Sequence, residues 1–205
     1  MPNWCENYIT VIGFKKSTDK LFDDIQKLNG KGDGVFQHLI GLDDDYNEDN
    51  WYDHNVNRFG TKWDVDYHDL NLEYTDDGPM GRITMSPMTA WSPPLPFAKL
   101  LSDKYGVTVE VVYQEPGNDF SGKYTAFGDG TDEINEYDTY DEGLYYNDND
   151  YFWENITQNT FEYYYDSEIS TDEVVSNYPF LNEKEKIELT NLWEEYVSER
   201  EGQSG

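Results

Sequence analysis

The sequence predicts an α+β fold: an antiparallel sheet with helices on one face, followed by an acidic extension that ends in a helix. Three observations predict it. Residues 1–128 alternate between segments of period 2 and segments of helical spacing, in the order strand, helix, strand, strand, helix, strand. Aromatic residues reach 17%, against 37% apolar overall, so a few large rings can build the core. The charge balance shifts near Gly128-Asp129-Gly130: residues 1–130 hold 22 acids and 11 bases, whereas residues 131–205 hold 21 acids and 3 bases. The expected domains are therefore 1–128 and 129–205.

Asn7 to Phe14 reads as a strand, because Tyr8, Ile9, Thr10, Val11 and Ile12 are β-branched or aromatic. Ser17 or Thr18 is expected to cap the following helix, whose stripe is Leu21, Phe22, Ile25 and Leu28. Asn29-Gly30 should stop it. Val35 to Leu42 is a short apolar run that suits a helical turn under the sheet. Residues 43–62 lack apolar periodicity and are expected to be an irregular connection.

Trp63 to Tyr74 reads as the second strand, with Trp63, Val65 and Tyr67 alternating with Asp64, Asp66 and His68, and a bulge near Asp69. Asp76-Asp77-Gly78-Pro79 forms a turn, and Arg82 to Met88 returns. Ser92 is placed to cap a second helix with Pro93-Pro94 in its first turn; Phe97, Leu100, Leu101 and Tyr105 form its apolar face, and Gly106 stops it. Val107 to Gln114 is a strand, Glu115 to Asn118 a turn, and Phe120 to Phe127 an added strand. This is the ferredoxin-like βαββαβ order. Beyond it, Tyr151 to Tyr165 is expected to add one or two strands. Ser170 with Glu173 and Asn182 with Glu185 resemble capping boxes. A last helix spans about 183–199, with Leu189, Leu192, Trp193, Tyr196 and Val197 on its apolar side.

Four motifs carry a family resemblance. They are Met1-Pro2-Asn3-Trp4-Cys5-Glu6-Asn7, then Arg58-Phe59-Gly60-Thr61-Lys62-Trp63, then Thr89-Ala90-Trp91-Ser92-Pro93-Pro94, and finally Tyr113 to Gly122, YQEPGNDFSG. In this order they resemble the YubB ferredoxin-like family of bacterial, plasmid and phage proteins, over residues 1–128. The resemblance implies the ferredoxin-like fold and a mobile-element setting. It brings no catalytic residues.

The net charge of −29 repels phosphate backbones and anionic membranes, so neither nucleic acid nor membrane is an expected partner. The strand around Arg82 also lacks the Gly and spaced aromatics of an RNA-binding strand. The expected partner is a basic host protein, including one that itself binds nucleic acid. The interface residues are expected among Asp138, Tyr140, Asp141, Glu142, Tyr145, Asp148 and Asp150, where carboxylates interleave with tyrosines. Eighteen excess charges match ~30 Å of duplex at one charge per ~1.7 Å, which admits a nucleic-acid mimic. A solvated, partly disordered tail fits the same composition. A small-ligand or divalent-metal-binding domain is the alternative.

No cofactor and no catalytic centre are expected. Cys5 has no paired histidine in the sequence, and His38, His54 and His68 match no zinc spacing. Asp43, Asp44, Asp45, Glu48, Asp49 and Asp53 supply oxygen ligands but lack the EF-hand spacing. Trp4, Trp63 and Trp91 are expected to close one end of the core; the other reading is a pocket shared with Arg58 and Lys62. With one cysteine, no basic-apolar leader and no long apolar stretch, the expected location is a cytoplasm.

Overall fold

The first strand, β1 (Trp4–Phe14), lies mid-sheet in the computed structural model, which describes residues 3–31 and 34–203. Its alternation turns Cys5, Asn7, Ile9 and Val11 inward and Trp4, Glu6 and Tyr8 outward. It pairs antiparallel with β3 (Met80–Met85; Ile9 opposite Met85) and with β5 (Thr108–Glu115; Ile9 opposite Val111). Outside these lie β2 (Glu73–Asp77) on one edge, and β6 (Phe120–Ala126) then β7 (Asp132–Tyr137) on the other. The short β4 (Met88–Ala90) pairs with the start of β1. The order β2-β3-β1-β5 is that of a ferredoxin-like sheet, extended by β6 and β7.

One sheet face carries the helices. Leu21 and Ile25 of α1 (Lys15–Gln26) and Phe97 and Leu101 of α4 (Leu95–Tyr105) are fully buried against Ile9, Val11, Ile83, Val109 and Val111. Val35, Phe36 and Leu39 of α2 (Val35–Ile40) and Phe59 of α3 (Trp51–Phe59) complete this core, with Phe36 stacked on Phe97 at 4.0 Å. Gly106 ends α4 in the left-handed conformation, as its position in the sequence requires.

Several expectations are corrected. Neither Ser17 nor Thr18 caps α1: the cap position is Phe14, and the buried Thr18 hydroxyl bonds back to Lys15 O. Ser92 does not cap α4, which starts after Pro94. Residues 43–62 contain α3, whose inward side chains are only His54 and Phe59, too few to leave a periodic signal. Trp63–Leu72 is not a strand. Its alternating aspartates are caps: Asp64 accepts the backbone N–H groups of Phe36 and Gln37, and Asp66 accepts that of His68 above a 3-10 turn at Tyr67–Asp69. The strand begins only at Glu73.

By contact, the chain divides into two units, Met1–Tyr140 and Asp141–Gly205. The composition shift at 128/129 falls inside the first unit, because β7 lies beyond it and still pairs with β6. The second unit is helical: α5 (Tyr140–Asn147), α6 (Asn149–Asn155), α7 (Phe161–Asp166), α8 (Thr171–Ser176) and α9 (Glu183–Gln203). The expected strands within 151–165 are helix instead. Phe152, Ile156 and Phe161 are all buried, although they are spaced four and then five apart. A π-helical turn at Ile156–Thr160 absorbs the five-residue step and keeps both flanking rings inside. Tyr178, Leu181, Leu189 and Trp193 complete this core. Both capping boxes form their N-cap bonds: Ser170 accepts from Glu173 N, and Asn182 Oδ1 accepts from Glu185 N at 3.1 Å.

Candidate functional site

The four sequence motifs meet at one end of the first unit, where buried hydrogen bonds hold them. Met1 and Pro2 of the first motif lie outside the described residues. The Asn7 side-chain amide donates to Cys5 O (3.0 Å), Pro87 O (3.0 Å) and Thr89 Oγ1 (2.9 Å). Thr61 Oγ1 donates to Ala90 O and accepts from Ala90 N, both at 3.0 Å. Ser92 Oγ donates to Gly60 O at 2.6 Å, and Thr89 Oγ1 donates to Ser92 O at 2.7 Å. Glu115 is only 2% exposed, and its carboxylate accepts the N–H groups of Gly117 and Asn118. This turn adjoins that polar knot through the β1–β5 pairing, where Glu6 stands opposite Gln114 and Asn7 opposite Tyr113.

Gly60 is fixed there by geometry. Its φ is +84°, and a Cβ would lie 2.6 Å from Pro96 Cδ and 2.8 Å from Pro93 O. Gly60→Ala is expected to destabilise the chain by roughly 2–4 kcal/mol, combining left-handed strain with a clash against backbone. A urea midpoint equal to wild type would show that the loop yields.

The knot presents three tryptophans outward. Trp4, Trp63 and Trp91 are 45%, 40% and 41% exposed, so they do not close the core. Trp4 and Trp63 stand 6.2 Å apart, tilted by 48°. Lys62 Nζ lies 4.8 Å from the Trp63 ring and 4.7 Å from the Trp91 ring. Trp91 has φ +73°, a conformation that costs a bulky residue about 1–3 kcal/mol, and its N–H is held by Asn3 O at 2.9 Å. Arg58 does not join this group: its guanidinium serves Gly41 O, Ile40 O and Asp43. A pocket of about 550 Å³ opens beside Trp4 and Trp63, lined also by Met88, Ala90, His68, Asp66 and Asp69.

Cys5 sits in the knot, fully buried, with its Sγ 3.7 Å from Asn7 Oδ1. Burial, and secondarily the Glu115 charge, push its thiol up to about 12. At pH 8 the thiolate fraction is then on the order of 10⁻⁴. Native protein is expected to resist iodoacetamide at pH 8 and to label fully in denaturant; rapid native labelling would contradict this.

The acidic residues named from sequence take diverse roles. Asp138 is exposed and Tyr140 half-buried at the end of the first unit. Asp141 and Glu142 are half-buried in the first turn of α5. The Tyr145 hydroxyl donates to Glu185, 2.9 Å from Oε1. Asp148 caps α6 by accepting from Tyr151 N, and Asp150 is exposed in that helix's first turn. Among the described residues, no group of three or more His, Cys, Asp or Glu side chains is placed to hold a metal ion. Asp43 is engaged by Arg58, and His54 Nε2 accepts from Asp43 N at 3.2 Å. Among those residues no helix is long and apolar enough to cross a membrane.

Motif residues were visible in the sequence, but the outward Trp display was not, because strand ends give no periodicity to show which way a ring turns. Lys62 is the one functional neighbour that the motif itself supplied.

No curated protein matches the chain. The crystal structure of a protein api92 from Yersinia pseudotuberculosis is similar at 12% identity, covering 67% of this chain and 98% of that one, with a TM-score of 0.45. The family description that matches is the Api92-like one, not the YubB name that the motifs resemble. Over residues 62–152 the chain matches the family model described as the ferredoxin-like domain in Api92-like protein.

Proposed function

We propose that this chain is a non-enzymatic accessory protein that binds a basic host protein through charge and thereby inhibits or redirects it. One observation carries the reading: the second unit buries Phe152, Phe161, Tyr178 and Trp193 and keeps most of its acids outside. Of its 17 acidic side chains 14 are exposed, against three bases in the same unit. Of those bases, Lys186 pairs with Glu183 and Arg200 with Glu162. A dense negative field therefore sits on packed helices, where little ordering entropy is lost on binding.

Magnitudes limit how literally a nucleic-acid mimic is meant. A 21-residue helix such as α9 is ~31 Å long. It carries 7 acids and 3 bases, whereas duplex DNA carries ~18 charges over that length. No single helix reproduces phosphate spacing, so the reading supported is attraction of basic proteins that grip nucleic acid, by field more than by imitation of a backbone. The motif resemblance to a mobile-element family favours a host protein as that partner.

Affinity capture from host lysate at ~50 and ~500 mM salt, followed by titration of the purified partner, tests this. A basic protein held at low salt and released at high salt is expected. A partner that is acidic, or one whose affinity ignores salt, would overturn it.

A further inference from the structure

We propose that the pocket beside Trp4 and Trp63 receives an arginine side chain of the basic partner, an inference that rests on the function proposed above. The pocket combines the two surfaces that a guanidinium needs. Its walls are the indoles of Trp4 and Trp63, 6.2 Å apart and partly exposed, over Met88. Its lining holds the carboxylates of Asp64, Asp66 and Asp69 together with His68, and no Lys or Arg.

The carboxylates differ in availability. Asp64 is committed, with its oxygens taken by the N–H groups of Phe36, Gln37 and Val65. Asp66 uses Oδ1 on His68 N. Among the described residues, no side chain pairs with Asp66 Oδ2 or with the Asp69 carboxylate. Several of the first unit's other bases are spent on its acids: Lys15 on Asp19, Lys27 on Asp24, Lys99 on Asp132 and Lys123 on Glu110. Lys62, next in sequence to Trp63, lies 4.8 Å and 4.7 Å from the rings of Trp63 and Trp91 and, among the described residues, forms no ion pair. An acidic, aromatic-walled pocket with no Lys or Arg in its lining is therefore left open.

Arginine fits better than other cations. Its flat guanidinium stacks on an indole while its N–H fork meets a carboxylate, which neither a lysine ammonium nor a hydrated metal ion does. Rigidity favours it too, because the knot of Asn7, Thr61 and Thr89 fixes the strand ends that carry Trp4 and bound the pocket.

The test uses the full chain and agmatine, which carries an arginine-type guanidinium and a terminal ammonium, followed by indole N–H NMR resonances. Agmatine should shift the Trp4 and Trp63 signals, assigned by Trp4→Phe and Trp63→Phe. N-carbamoylputrescine, the urea isostere that keeps agmatine's ammonium, should bind at least about tenfold more weakly, and Asp69→Asn should weaken agmatine about threefold to tenfold. Asp69 is exposed, so this variant is expected to fold as wild type. Equal response to the urea isostere, tighter binding of butylamine, or shifts confined to other tryptophans would each overturn the assignment. Failure here is separable from failure of the parent reading. If Asp69→Asn and Trp63→Ala capture the basic partner as well as wild type, only the pocket is wrong. If agmatine binds as described but no basic partner is captured, only the parent reading is wrong.

Discussion

Asn7→Asp is expected to cost the first unit about 3–5 kcal/mol, a large part of a stability of about 5–15 kcal/mol. The change keeps shape and reverses polarity. Asn7 Nδ2 donates to two carbonyl oxygens and Thr89 Oγ1, all within 3.0 Å. A carboxylate there would face two acceptors that cannot donate, in a buried site. It would also add a negative charge close to buried Glu115, whose field already reaches Cys5. Paired urea melts of wild type and variant measure the difference. The deficit should shrink as pH falls through the carboxylate range, since protonation removes the buried charge and restores one donor. Equal midpoints at pH 7 would mean that the motif residues are not held together by this knot.

Replacing Asp138, Glu142, Asp148 and Asp150 with their amides is expected to lower the association rate with a basic partner about threefold to tenfold at ~50 mM salt, with little change in dissociation. The net charge moves from −29 to −25. The fold should hold at the Asp148 cap of α6, because asparagine caps a helix N-terminus about as well as aspartate. Relief of self-repulsion acts in the same direction. Stopped-flow association at several salt concentrations separates the two rates. A loss found wholly in the dissociation rate would assign these side chains to direct contacts instead of steering.

The sheet and its two covering helices were legible because long alternating or helical stripes set them. Tyr8 to Ile12, Val107 to Gln114 and the Leu21–Ile25 and Phe97–Leu101 pairs say the same thing at the level of propensity and of burial. What misled were aspartates. Asp64 and Asp66 produce an apparent strand alternation while acting as caps for distant or local backbone, and such a bond across 28 residues leaves no local mark. Tyrosine and phenylalanine misled in 151–165, where strand propensity points one way and the four-then-five spacing of Phe152, Ile156 and Phe161 needs a π turn to make sense as helix. At the tryptophan end the sequence showed which residues belong together, but not which side of the sheet they face. That depends on β4 pairing with β1, a bond between segments more than 80 residues apart.

The outermost strand, β7, has a consequence for how the molecule keeps its own company. An edge strand offers a row of backbone groups to any other chain, and Ile134 is exposed on this one. Asp132, Glu133 and Glu136 line the same six residues, so two such edges brought together would set like charges against each other. Lys99, bonded to Asp132, holds that carboxyl below its usual range, so it is among the later guards to be neutralised as acid rises. The acidity proposed to draw a basic partner therefore also serves as a gatekeeper against self-templating. A partner that neutralised this edge would need to cover it as well.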